Sequence, residues 1–253
     1  MGAAAGGIRV GMSAPPRTVA DQSLPEMGGR LSVVALQRAD HVRLDGLMTR
    51  ARTTVRTGGP EHARTLRSLA RLVFTHAFAE ESVLFPAARR ALPEGDPLSL
   101  HIETAHQRVD ELVARLDGSS ADDPAHEELM LRTFAVLEED VRSEEDALLP
   151  RLQEELTVRQ LRAVGLAWLL VRLVAPTRAH PVVSRRPPGQ VLSALPLTVL
   201  DRARDNLQRL DEVSRGRAAP VLARADRALA RAAGAVERFP LLRVGERAET
   251  SRG

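Results

Sequence analysis

Cysteine is absent from the 253 residues. Disulfides, zinc–thiolate centres and cysteine nucleophiles are excluded with it, so any metal must sit on nitrogen and oxygen ligands, which leaves iron, manganese and zinc as candidates. Lysine is absent as well, and all 36 basic residues are arginine; together with abundant alanine we read this as the codon bias of a GC-rich genome. Tyrosine is missing and aromatics make up only 2% of the chain, which excludes a tyrosinate ligand and removes the stacking platforms of a single-strand nucleic-acid binder. The longest apolar stretch, Ala163 to Ala175, is too short to span a bilayer and carries Arg172, so it reads as a buried or interfacial helix and no membrane association is expected. The first thirty residues are rich in Gly, Ala and Pro without the continuous apolar core of a secretory signal. A disordered arm over 1–30 and a cytoplasmic location are the expectations.

What the chain does contain is 43% apolar residues, ample for a sizeable core. Its charge is divided: residues 31–153 hold 15 Arg against 21 Asp or Glu, net −6, and residues 154–253 hold 18 against 10, net +8. An acidic half suits cation binding, while a basic tail suits an acidic partner, a membrane surface or nucleic acid, or simply a solvated surface.

Gly58-Gly59-Pro60, Pro93-Glu94-Gly95-Asp96-Pro97 and the polar run from Gly118 to Pro124 cut residues 31–152 into four segments. Each is long enough for several helical turns. Pro60 and Pro124 stand where proline is favoured at a helix start, and Asp123 is placed to cap the fourth. Apolar residues recur at three- and four-residue steps in all four, and His41, His76, Glu80, His106, Asp140 and Glu144 interrupt those stripes in phase. They are expected to point inward.

The segments also repeat. His41-Val-Arg-Leu-Asp45-x-Leu47 is echoed by His106-Gln-Arg-Val-Asp110-x-Leu112, and the Glu-Glu-x-x-Leu-x-Pro frame at Glu80 to Pro86 by Glu144 to Pro150, at offsets of 65 and 64 residues. A pseudo-two-fold bundle follows, with ligands from all four helices meeting at its centre. His76 with Glu80, and Asp140 with Glu144, are spaced i, i+4, so each pair stacks on one face and can reach one metal centre. Glu103, three before His106, is the candidate for an additional ligand. Asp45 and Asp110 are candidates to hydrogen-bond their histidines, Glu81 and Glu145 read as outer residues, and His62, His101 and His126 are assigned to solvent near segment ends.

Beyond Leu152 a fifth helix is expected over about 154–174 within the segment 153–175, then a Pro-rich break from Pro176 to Pro188. One or two helices are expected in the basic tail that closes 176–253, with candidates starting at Pro196 and at Pro220.

His76-x-x-x-Glu-Glu-x-x-Leu-Phe-Pro86, with Glu103-Thr-Ala-His106 and the echo from Asp140 to Pro150, resembles the hemerythrin family, also called the HHE cation-binding domain, over residues 31–152. The stretch from Ala175 to Arg204 is similar to the C-terminal extension of a bacterial subgroup. The resemblance implies an all-α, up-down-up-down four-helix bundle with additional C-terminal helices, binding two iron ions and a small ligand such as O2, peroxide or NO. Family members commonly have His where this chain has Asp140, and the oxygen carriers have His where this chain has Ile102. Fewer nitrogen ligands favour the oxidised metal, which turns the expectation from reversible O2 carriage towards oxygen, redox-stress or iron sensing or handling. The alternatives are a di-iron enzyme consuming peroxide or NO, and a metal-free bundle whose tail is an interaction module. A homo-oligomer through the C-terminal helices is a further expectation.

Overall fold

A computed structural model describes residues 17–119, 123–214 and 219–250. Among these residues the secondary structure is helical throughout. Helices α1 (Val33–Thr54), α2 (Gly59–Ala79), α4 (Gly95–Asp117) and α5 (Pro124–Ser143) form the long arms of a four-helix bundle, and the short α3 (Phe85–Ala91) and α6 (Leu149–Glu155) extend α2 and α5. The breaks fall where the Pro and Gly signals stand. Gly58 and Gly59 have φ of +58° and +75°, a region that glycine adopts freely, and Pro60 opens α2. Asp123 caps α5 by accepting from the Ala125 N–H at 2.8 Å.

The repeat seen in the sequence becomes a repeat of an unusual element. Between α2 and α3, and between α5 and α6, the helix widens into one π turn, Glu80–Leu84 and Glu144–Leu148. The Phe85 N–H donates to Glu80 O and the Leu149 N–H to Glu144 O, five residues back. A physical reason lies one residue on: Pro86 and Pro150 have no N–H to donate and their rings would strike the carbonyl four residues earlier, so the preceding turn opens to accommodate them.

The core falls into two apolar clusters. One gathers Val33, Val34, Leu84, Phe85, Leu148, Leu149, Leu152 and Trp168; the other gathers Met48, Leu69, Phe74, Val109, Met130 and Phe134. In α1, α2 and α4 the predicted histidine lies between a residue of the first cluster and a residue of the second, and in the fourth arm Asp140 and Glu144 lie between Leu137 of α5 and Leu148 of the π turn, so the polar layer is sandwiched between dry ones.

Helix α7 (Val158–Leu173) packs on α1, α2 and the first π turn. It begins four residues later than the sequence suggests, because Thr157 and Gln160 form a reciprocal capping box there. Its close seating needs Gly165, where a Cβ would collide with the carbonyl of Leu31. Residues 17–30 are also packed rather than loose: Val19 and Met27 are buried and Gln22 bonds Gln153. The part of the expected arm at 1–16 lies outside the described residues.

In the tail, α8 (Gly189–Ser214) and α9 (Ala219–Glu237) pair as a hairpin, with Pro196 inside α8 rather than at its start. The start is set instead at Gly189, where a Cβ would press on the carbonyls of Leu242 and Val244. Among the described residues no helix is long and apolar enough to cross a membrane.

Candidate metal centre

Six of the seven predicted ligands converge in the polar layer. His41 Nε2 lies 3.0 Å from Glu144 Oε2, His76 Nε2 lies 3.3 Å from Glu80 Oε1 and 3.9 Å from Glu144 Oε2, and His106 Nε2 lies 3.4 Å from Glu80 Oε2 and 3.5 Å from Asp140 Oδ2. Glu80 is fully buried and Glu144 is 1% exposed. Two sets of three donors, His41 with His76 and Glu144, and Glu80 with His106 and Glu144, are each gathered within 4.8 Å. Glu144 belongs to both.

The seventh, Glu103, is not brought to the cluster. Its buried carboxylate is clasped by Arg89 and Arg186, the latter donating from Nε at 2.9 Å. The i, i+3 step from His106 puts the two residues on neighbouring faces, and the arginines claim the face that Glu103 occupies.

Each histidine turns its other nitrogen outward to a second carboxylate. His41 Nδ1–H donates to Glu145 Oε1 at 2.6 Å, His76 Nδ1–H to Asp40 Oδ2 at 3.2 Å, and His106 Nδ1–H to Glu81 Oε1 at 2.8 Å. An ionised carboxylate only accepts, so these bonds keep a proton on Nδ1, and in the neutral ring they leave the Nε2 lone pair facing the cluster. An arginine stands behind every outer carboxylate: Arg38 at 3.4 Å from Glu145, Arg172 of α7 at 2.6 Å from Asp40, and Arg185 of the tail at 2.8 Å from Glu81. Glu81 and Glu145 are therefore buried orienting groups rather than outer residues; the π turn is what lets both members of each Glu-Glu doublet face inward. Asp45 is exposed, and Asp110 serves Arg185 instead of its histidine. Asp40, the arginines and Gln37, which donates to Glu80 Oε1 at 2.7 Å, were not singled out from the sequence. Asp40 carried a signal, since it adjoins His41, whereas Arg172 and Arg185 lie far along the chain.

The other histidines divide. His101 is exposed as expected. His62 and His126 are not in solvent: they are buried at the bundle end on the Gly58 and Gly118 side, their Nε2 atoms 3.2 Å apart. Thr54 and Ser119 hydroxyls anchor their Nδ1 atoms at 3.0 and 2.8 Å.

Without a cation, the inner ring depends on its histidines for counter-charge. The outer carboxylates are matched by arginines, while the ion-pair partners of Glu80, Asp140 and Glu144 are imidazoles. Burial disfavours the charged imidazole, yet Glu144 and Glu145 hold His41 up at about 9, and the carboxylates around His76 and His106 hold them well above the usual range. Burial and the neighbouring Glu80 charge push Glu144 up. Despite the short separations, His41 Nε2, Glu80 Oε2, Asp140 Oδ1 and Glu144 Oε2 have no hydrogen-bond partner. Four such atoms in one buried layer are left to a common third body. Buried polar atoms left in that state cost about 1–3 kcal/mol each, which a bound cation would remove. The residues present therefore fit a metal.

A bundle of this topology, with carboxylates and histidines projecting inward from all four long helices, defines a class of non-haem metal-binding proteins. Residues 32–152 match the sequence model of the hemerythrin HHE cation binding domain, and this part of the chain belongs to that family. Residues beyond Leu152, including α7 and the tail, lie outside the match. Neither the curated proteins nor the solved structures compared with the chain gave a match.

Proposed function

We propose that the protein is a cytoplasmic non-haem di-iron protein acting in the sensing or handling of oxygen, redox stress or iron. The observation that carries the two-metal reading is Glu144, whose carboxylate is shared by both three-donor sets. Carboxylates can bridge two metal ions, and a set of three imidazoles and three carboxylates without thiolates suits iron, with manganese or zinc as the competing ions.

Iron held there would supply a reversible change of oxidation state and a position for a small ligand. The chain's own residues do the rest. His41, His76 and Glu144 would hold one ion, Glu80, His106 and Glu144 the other with Asp140 beside them, and the outer carboxylates fix the orientation of each ring.

A small cavity of about 20 Å³, room for little more than one water-sized molecule, adjoins the ligands, and away from them its wall is Leu44, Leu72, Val73, Val109, Leu137 and Val141. Such walls exclude charged substrates and admit small neutral molecules such as O2, NO or hydrogen peroxide. The tail adds a surface for a second copy of the chain: Val191, Leu192, Leu195 and Val199 of α8 are exposed. Sedimentation of the full-length protein tests that part.

The test of the main reading is elemental analysis of protein expressed with iron, with visible absorption before and after peroxide. Two irons per chain and bands that change with peroxide are expected. Glu144→Gln should lose metal while keeping its helices. A folded, helical wild-type protein that takes up no iron, manganese or zinc would overturn the reading.

A further inference from the structure

The tail reaches the cluster through a single carboxylate. Glu81 accepts from His106 Nδ1–H and from Arg185 Nη1 on its Oε1, both at 2.8 Å, and from Gln190 Nε2 on its Oε2, also at 2.8 Å. Arg185 and Gln190 lie more than thirty residues past Leu152, on either side of Pro187-Pro188, and are 6% and 2% exposed. Arg185 is further fixed by Asp110 Oδ2 at 2.5 Å and by Gln107 Oε1 at 3.1 Å. All three partners of its guanidinium, Glu81, Gln107 and Asp110, belong to the bundle.

The matching position in the other half of the repeat is built differently. Glu145, which orients His41, is faced by Arg38 from the bundle's own α1, at 3.4 Å and with a third of that side chain exposed. The bundle thus completes its His41 half by itself, whereas the His106 half takes its counter-charge from the tail. With the tail displaced, Glu81 and Asp110 would be two buried carboxylates on one face without that charge, and their repulsion would turn Glu81 away from the ring it steadies.

We propose that Arg185 and Gln190 are positioning residues for His106, so that docking of the tail and binding of metal strengthen each other. The proposal rests on the metal-binding reading above. It follows from reciprocity: whatever the docked tail adds to the metal's affinity, the metal adds to the affinity of the tail for the bundle. Loss of an orienting partner of a ligating histidine typically weakens metal binding about 10- to 100-fold.

The experiment uses full-length protein, with zinc affinity measured by competition against a chromophoric chelator, the visible ligand-field spectrum with cobalt(II), and amide hydrogen exchange of residues 176–214 with and without zinc. In the wild type, zinc should slow exchange in the tail. Arg185→Met should lower zinc affinity by about 10- to 100-fold, alter the cobalt spectrum and abolish the zinc-dependent protection of the tail. Gln190→Leu, which leaves the ion pairs in place, should do the same more mildly and covers the case in which Arg185→Met does not fold. Unchanged affinity and cobalt spectrum in a folded variant would overturn the proposal while leaving the metal site standing, as would a wild-type tail whose exchange ignores zinc. A wild type that takes up neither of these ions, nor iron or manganese, would overturn both readings.

Discussion

Trp168 stands edge-on to His76, ring centroids 5.7 Å apart and planes at 89°, with the Arg172 guanidinium 4.5 Å over the indole. It is the chain's one tryptophan and is fully buried. The sole strong fluorophore is therefore in contact with a proposed ligand. Iron loading should quench most of the tryptophan emission, and His76→Ala should bind less metal and lose that response. Emission indifferent to iron in protein shown to hold it would count against His76 as a ligand.

His180 links the segment before α8 to both helices of the tail hairpin. Nε2 is 3.1 Å from Asp201 and Nδ1 is 2.9 Å from Glu237, and these two carboxylates, overcoming burial, raise it from 6.5 to about 9. A histidine raised on folding stabilises fully below its unfolded value, and that contribution is lost as pH rises through the folded value. The tail should accordingly loosen between about pH 6.5 and 9, by on the order of 3 kcal/mol. His41, His76 and His106 carry the same sign in metal-free protein. Hydrogen exchange of α8 and α9 across this range, compared with His180→Gln, separates them: the variant should lose the pH dependence in the tail alone.

Glu103 provides a control for the ligand assignment. Glu103→Gln removes a charge held by Arg89 and Arg186, so the melting temperature should fall while metal stoichiometry stays at the wild-type value. Glu80→Gln, by contrast, should lower the metal stoichiometry itself. Elemental analysis beside thermal melts decides it, and loss of metal from Glu103→Gln would return that residue to the ligand set.

The His62–His126 pair carries a different expectation. Its members satisfy one another and are fixed by Thr54 and Ser119. His62→Leu should leave His126 Nε2 buried without a partner and cost about 1–3 kcal/mol. Replacing both with Leu should recover part of that loss, since an apolar pair leaves nothing unpaired at Nε2. A double-mutant cycle by chemical denaturation measures the coupling; strict additivity would mean the contact contributes nothing.

The helices and the inward phase of the ligands were legible because both depend on local spacing. Asp140 and Glu144 reach the layer for the same reason as His76 and Glu80, one helical turn apart on an apolar face. Glu103 misled because its fate is set by Arg186, eighty-three residues away. Glu81 and Glu145 were read as outer residues because a regular α-helix turns the neighbour of an inward residue aside; the π turn removes that constraint. His62 and His126 looked like segment ends, and the structure buries them against each other across two helices. The part that α7 and the tail play at the centre, through Arg172, Arg185 and Gln190, has no local signature, since each meets a carboxylate brought to it by tertiary packing alone.

The wide turns at Glu80–Leu84 and Glu144–Leu148 each amount to one residue more than an α-helix would use over the same rise. Shortening either by its second glutamate would let the helix close regularly with the flanking faces still in phase, against the resistance of Pro86 or Pro150 alone. Such a chain would keep its helices and look native by circular dichroism, yet His106 or His41 would have lost its anchor. The centre is thus specified by how many residues separate Glu80 from Pro86, and Glu144 from Pro150, as much as by which residues they are, and a one-codon deletion there would be a lesion of function that measurements of helix content pass over.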